Sequence, residues 1–209
     1  MLISGKRPKQ TTALRQASLV EAALQLAAHR NPAEITTGDL AQAVGITQGA
    51  VFRHFASKEM IWLAALDWAT EYLIIRLQTA ADDAAAQVNP LAALQAVFKT
   101  HVDFVVEHPG VPRVIFQELQ YAQDTPLKAS VRQLMTKYRA VVMGVLQRAQ
   151  TQQRLAPGTD LTSAALLFMG SIQGLVMQSM ISGQVQAIAQ QAPGVFAIYL
   201  RGITTRECP

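Results

Sequence analysis

Seven breaks cut this chain, and nothing between them alternates with the period of two that a half-buried strand requires. They are Asn31-Pro32, Gly45, Asn89-Pro90, Pro109-Gly110, Thr125-Pro126, Pro157-Gly158 and Pro193-Gly194. The segments between them are rich in Ala, Leu, Gln and Met, which lose little conformational freedom in a helix. The pattern predicts an all-α chain of about nine helices. Their expected spans are 11–29, 37–44, 48–55, 58–87, 90–108, 111–122, 126–154, 160–182 and 191–203.

Apolar spacing says which faces are inward. The first helix would bury Leu19, Val20, Ala23, Leu26 and Ala27, and the fifth carries Leu91, Leu94, Phe98, Val102 and Val105 on one stripe. The seventh repeats Leu127, Val131, Leu134, Tyr138, Val141 and Val145 at steps of four and three, the spacing of a seam between packed helices. With 209 residues, half of them hydrophobic and 15% charged, the chain can bury sizeable cores and is not of disordered composition.

Charge is unevenly placed. Residues 1–60 hold seven Lys and Arg against four Asp and Glu, residues 61–124 three against eight, and residues 125–158 six against none. A basic amino-terminal part joined to an acidic middle points to a polyanionic partner for the first part. Cys208 stands alone near the carboxy terminus and reads as a terminal thiol; one cysteine permits no intrachain disulfide and fits a reducing cytoplasm. The start, MLISGKRPKQTT, lacks the apolar core of a signal peptide and reads as a basic arm over 1–10. From Leu161 to Leu200 there is no charged residue. That run is long enough to span a bilayer, but Ser163, Ser171, Gln173, Gln178, Ser179 and Ser182 interrupt it, so a helix buried inside a protein or oligomer is the better reading and no membrane partner is expected.

The stretch 36–58, TTGDLAQAVGITQGAVFRHFASK, carries the most specific chemistry. Thr36 can cap a short helix whose inner face is Leu40, Ala41 and Val44, and Gly45 permits a sharp turn. Ile46 plugs that turn, Thr47 caps the next helix, and Val51 and Phe55 pack it inward. Two short helices joined by a tight turn make a helix-turn-helix, whose second helix enters the DNA major groove amino-terminus first. Candidate DNA contacts are therefore Thr36, Thr37, Thr47, Gln48, Gly49, Phe52, Arg53, His54 and Lys58. Gln48 can read an adenine through its amide, Gly49 lets the backbone approach closely, and Arg53, His54 and Lys58 lie where phosphates would pass. His54 can instead cap a neighbouring carbonyl, and Arg53 can be a solvated surface residue.

Thr36 to Trp62, with LVEAALQLA at 19–27 ahead of it, resembles the DNA-binding signature of the TetR family of bacterial regulators over roughly residues 12–66. One departure is Phe52, where the family usually has a tyrosine whose hydroxyl binds a phosphate. The resemblance implies a helix-turn-helix domain over 11–57, followed by a ligand-binding and dimerisation domain over 58–209. It also implies a dimer held by a four-helix bundle and a repressor released from a palindromic operator by a small molecule, expected to be mostly apolar because few charges are expected in the pocket.

On that expectation the seventh and eighth helices supply the dimer face. The candidates are Leu127, Val131, Leu134 and Val145, with Ser163, Gly170, Ser171 and Gly174 allowing close approach. The ligand pocket is expected among the middle helices. Candidates there are Trp62, Leu66 and Tyr72 on the fourth helix, Phe98, His101 and Val105 on the fifth, and Phe116 and Tyr121 on or near the sixth. Met135 and Tyr138 on the seventh, with Phe168, Met169, Gln173 and Met177 on the eighth, complete the set. The same residues at helical spacing also suit an ordinary core. His101 and His108 are two turns apart and do not suit one metal ion, so no metal or cofactor is expected. The chain has no nucleophile elbow, no phosphate-cradling glycine loop and no zinc-protease motif, which argues against an enzyme. The rival reading is a DNA-bound scaffold of the same fold that recruits a protein partner.

Overall fold

The computed structural model describes residues 11–83 and 88–205. The arm over 1–10, the expected last turn of the fourth helix (84–87) and Cys208 lie outside the described residues. Among these residues there are helices and no strands. The helices are α1 (Thr12–Ala27), α2 (Thr37–Ala43), α3 (Gln48–Val51), α4 (Lys58–Asp82), α5 (Pro90–Glu107), α6 (Gly110–Leu119), α7 (Pro126–Thr151), α8 (Leu161–Ser182) and α9 (Ala187–Ile203).

Most boundaries follow the local chemistry of the chain. Thr11, Thr36, Thr47, Ser57, Asn89, Thr125 and Asp160 each cap the helix they precede by accepting a backbone N–H. Pro90 and Pro126 stand at first helical positions, where a missing N–H costs nothing. Gly183 ends α8 in the left-handed conformation.

Three elements differ from expectation, the first being α4, which ends at Asp82 with Asp83 already non-helical, short of the expected 87. α3 is a single turn that ends at Val51, and Phe52–His54 continue as turns. α9 begins at Ala187, ahead of Pro193, which lies inside the helix. Turn bonds from Ala187 to Gln184 and from Ile188 to Val185 start it, and Ile188 and Ala192 are buried on its inner side.

α4 is the axis of the molecule. It packs on α1, α5 and α7, so one continuous helix joins the amino-terminal helices to the rest. α8 packs against α5, α7 and α9, and α6 bridges α1 and α7. The buried residues form one continuous apolar cluster from Leu19 to Ile203. The seam read in α7 is part of that cluster: Leu127, Val131, Leu134 and Val145 are buried within the chain, against neighbouring helices. They are not a dimer face, because a seam spacing does not say whether the partner helix belongs to the same chain. α8, among the described residues the one helix long and apolar enough to cross a membrane, buries Ala164, Ala165, Phe168, Met169, Ile172, Leu175 and Val176 against its neighbours.

Candidate nucleic-acid interface and ligand cavity

The first three helices are tied together by polar bonds at their ends. Thr36 and Asp39 form a reciprocal capping box: Asp39 N–H donates to Thr36 Oγ1 (3.1 Å), and Asp39 Oδ2 accepts from Thr36 N–H (2.7 Å). Arg30 closes on the same carboxylate (3.1 Å). The Arg30 guanidinium and the Thr36 donors hold the Asp39 carboxyl well below the usual carboxylate range. Gly45 takes φ +68° in the turn between α2 and α3. Arg15 donates to Val44 O (3.4 Å) and Gln16 to His54 O (2.9 Å), so α1 grips both ends of the α3 region. With Leu40, Val51 and Phe55 buried beneath, the unit is a helix-turn-helix.

Its outer face carries most of the expected contacts. Thr36, Thr47, Gln48, Gly49, Phe52 and Arg53 are exposed, and Thr37 is half-buried. Gln48 Nε2 donates to Thr37 Oγ1 (2.8 Å), which couples the two helices at the surface. A Cβ at Gly49 would meet nothing within 4 Å, so intrachain packing does not require a glycine there. Phe52 is 50% exposed with no hydroxyl to offer. The Arg53 guanidinium has no partner among the described residues. His54 Nδ1 is buried without a partner, which leaves only Nε2 able to reach a phosphate.

Lys58 has a role that its sequence position did not reveal. Its ammonium donates to Ala33 O (3.1 Å) and Ile35 O (2.9 Å), pinning the α1–α2 loop to the start of α4. Two of its three donors are directed inward, so Lys58 is foremost a structural clamp.

A cavity of about 760 Å³ lies between α5, α6, α7 and α8. Seven of the expected pocket residues line it: His101, Val105, Phe116, Met135, Tyr138, Gln173 and Met177. The others lie elsewhere. Phe98 and Phe168 are buried edge to face (5.3 Å) in a packed cluster with Phe196 and Tyr199. Leu66 and Met169 are core, and Trp62 and Tyr121 meet at a separate recess of about 190 Å³. Tyr72 stacks on Trp68 (5.3 Å) at the surface beneath the Arg76 guanidinium. Helical spacing cannot separate cavity lining from core, because both are apolar and inward.

At the cavity wall His101 Nδ1 meets the Tyr138 hydroxyl at 2.9 Å, ring edge to ring face. Burial pushes the His101 pKa down to about 4 and the Tyr138 pKa up, so both are neutral at pH 7. Val131, Leu134 and Gly174, expected in the dimer face, line this cavity instead. Lys128, Arg132 and Arg139 also line it and were not anticipated, although the acid-free run 125–158 held the signal. α6 contributes Val111, Pro112, Ile115, Phe116 and Leu119.

Residues 19–65 match bacterial regulatory proteins of the tetR family, and residues 115–194 match the tetracyclin repressor-like carboxy-terminal domain. The chain belongs to the TetR family. It is a DNA-binding regulator of that family and not an enzyme. Among relatives, nucleoid occlusion factor SlmA of Marinobacter nauticus is 26% identical over 164 residues, 78% of this chain and 83% of SlmA. SlmA of Escherichia coli is 26% identical over 163 residues, 78% of this chain and 80% of its own length. Solved TetR-like folds are similar throughout. FadR of Bacillus halodurans superposes with a TM-score of 0.80 at 15% identity, covering 93% of this chain and 97% of that one. FadR of Bacillus subtilis, in complex with stearoyl-CoA, gives 0.75 at 18%, covering 90% and 98%. The ketosteroid regulator KstR2 of Mycobacterium tuberculosis gives 0.72 at 22%, covering 98% and 100%.

Proposed function

We propose that this protein is a ligand-responsive repressor, working in the cytoplasm as a homodimer on a roughly palindromic operator. The observation that carries the reading is the cavity of about 760 Å³, because the α6 that walls it also packs on α1 of the helix-turn-helix. Its volume falls in the range of about 300–1,000 Å³ common for small-molecule sites. A compound that shifts α6 would change how α1 presents the recognition element, and ligand and operator would then oppose each other by one coupling free energy.

The dimer reading rests on the outer face of α8 and α9. Leu166, Leu167, Ile181 and Ile198 are exposed there beside Ser163 and Gly170, and the small residues leave room for close approach. Ser171 is half-buried on the same helix. Two helices from each subunit would close this apolar face in a four-helix bundle and place two recognition helices on half-sites about 35 Å apart. Thr36, Thr37, Thr47, Gln48, Gly49, Phe52, Arg53 and His54 form the proposed DNA contact surface, the basic members on phosphates and Gln48 on a base edge. The division into a DNA-binding part over 11–57 and a ligand and dimer part over 58–209 follows from these roles.

Gel-shift titration on DNA flanking its own gene is the test. Nanomolar-scale binding that falls steeply with salt is expected, and equal affinity for random DNA at physiological salt rejects the reading.

A second reading is favoured by one feature. A cleft of about 980 Å³ opens between α1, α4 and the α5–α6 corner, away from the α8–α9 face, with Val20, Leu24, Phe55 and Trp68 in its walls. A DNA-bound scaffold could seat a protein partner there, and relatives named nucleoid occlusion factors lend it weight. Operator binding that no small molecule alters would favour this scaffold over the repressor.

A further inference from the structure

The α5–α8 cavity has a charge pattern beyond what its role as an effector site requires. No Asp or Glu is among the residues that line it, whereas Lys128, Arg132 and Arg139 all do, from one edge of α7. Arg132 and Arg139 are seven residues apart, so they share a helix face about 10 Å along the axis. They are not equivalent. Lys128 donates to Tyr121 O and Gln123 O, and Arg132 pairs with Asp124 (2.6 Å), so both hold the α6–α7 loop. The Arg139 guanidinium has no partner among the described residues and is exposed at the rim.

The polar pair on the wall adds a second constraint. If the Tyr138 hydroxyl donates to His101 Nδ1, neutral His101 keeps its Nε2–H. If Nδ1–H donates to Tyr138, the phenol keeps its own O–H. In either tautomer the pair keeps one donor free at the cavity wall. A ligand oxygen at that wall can accept from this donor.

We infer that the ligand of this cavity is a hydrocarbon acid: its anionic head lies at Arg139, its apolar body fills the cavity, and an oxygen along that body accepts from the His101–Tyr138 pair. The inference rests on the proposed effector role of the cavity and specifies its chemistry.

The test uses the full-length protein at neutral pH with dodecanoic acid, 1-dodecanol, dodecylamine, and 3- and 12-hydroxydodecanoic acid, all below their micellar concentrations. Melting temperature and calorimetric titration report binding, and a gel shift on the operator reports release. The acid is expected to bind about tenfold or more tighter than the alcohol, with the amine weakest. Arg139→Gln, at an exposed site, should abolish that preference while leaving the alcohol unchanged. One of the hydroxy acids should bind more tightly than dodecanoic acid, and the double substitution His101→Leu with Tyr138→Phe should erase that gain. If the double variant does not fold, Tyr138→Phe and His101→Leu alone should each keep part of the gain. Alcohol or amine binding as tightly as acid, an acid preference that survives Arg139→Gln, or no binding by any of the five overturns the inference. Neither hydroxy acid outbinding dodecanoic acid overturns the oxygen acceptor at the His101–Tyr138 pair. Acid binding that leaves operator affinity unchanged would uphold the ligand class and reject the effector role instead.

Discussion

Gly110 rests against the carbonyl oxygen of Leu24 so closely that a Cβ added to Gly110 would lie 2.0 Å from that oxygen. The contact joins the first residue of α6, a wall of the α5–α8 cavity, to the last turns of α1 in the helix-turn-helix unit. The obstacle is backbone on both sides, so no side chain can rotate away to relieve it. Gly110→Ala must therefore separate α1 from α6. A loss of about 1–3 kcal/mol is expected from such overpacking, read as a lower midpoint in urea melts. Operator affinity should change in the same variant, and a variant with unaltered melting and affinity would show that the two helices do not act as a coupled pair.

His101 makes stability depend on pH in a definite window. Its folded pKa is about 4 against an ordinary 6.5, so between these values the unfolded chain binds a proton that the folded chain does not. Stability therefore falls as pH drops from about 6.5 to about 4, by about 3 kcal/mol in all for this residue. His108, also held down by burial, acts in the same direction. Asp39, Glu107 and Asp124 have lowered values and lose their contributions only at lower pH. Urea melts of the wild type and of His101→Leu should show the variant with the shallower decline, and parallel declines would exclude His101 as the source.

Gln48 and Phe52 should separate recognition from general affinity. Gln48→Ala removes an amide now bonded to Thr37 and is expected to cost about 1–3 kcal/mol on operator with little effect on random DNA. Phe52→Tyr adds a hydroxyl at an exposed ring and should tighten both specific and random binding severalfold. Fluorescence anisotropy with the two DNAs distinguishes these outcomes. A Phe52→Tyr variant no tighter on either DNA would place the ring away from the backbone.

Lys58 and Arg53 differ in the same assay. Lys58→Met leaves the carbonyls of Ala33 and Ile35 without their donor and should lower stability by about 1–3 kcal/mol. Arg53→Ala should leave melting unchanged and make the salt slope of DNA binding shallower by about one unit. If Lys58→Met alters the slope as much as Arg53→Ala while melting normally, its amine serves phosphate more than the loop.

The outer face of α8 and α9 should govern assembly. Leu167 and Ile198 are 56% and 65% exposed, and Leu167→Glu puts a charge where an apolar partner surface is proposed. Analytical ultracentrifugation should report a monomer, and specific operator binding should vanish at concentrations that saturate the wild type. A dimer that persists with Leu167→Glu would move the interface elsewhere.

Most helices, the Thr36 and Thr47 caps and the turn at Gly45 were legible from the chain alone, because each depends on contacts a few residues apart. Thr36 with Asp39, Gly45 in its left-handed turn, and Pro126 behind Thr125 act on their own neighbourhood, so spacing and residue type suffice. What tertiary structure decided was which inward residues have a neighbour and which face space. Phe98 and His101 lie on one helix, yet Phe98 is locked among Phe168 and Phe196 while His101 lines a cavity. The α7 seam turned out to close on the same chain, and Lys58 turned inward to carbonyls more than twenty residues away in sequence. Apolar periodicity specifies a direction and not a partner. The partner depends on where other helices are placed, and that placement is set by contacts distant in sequence.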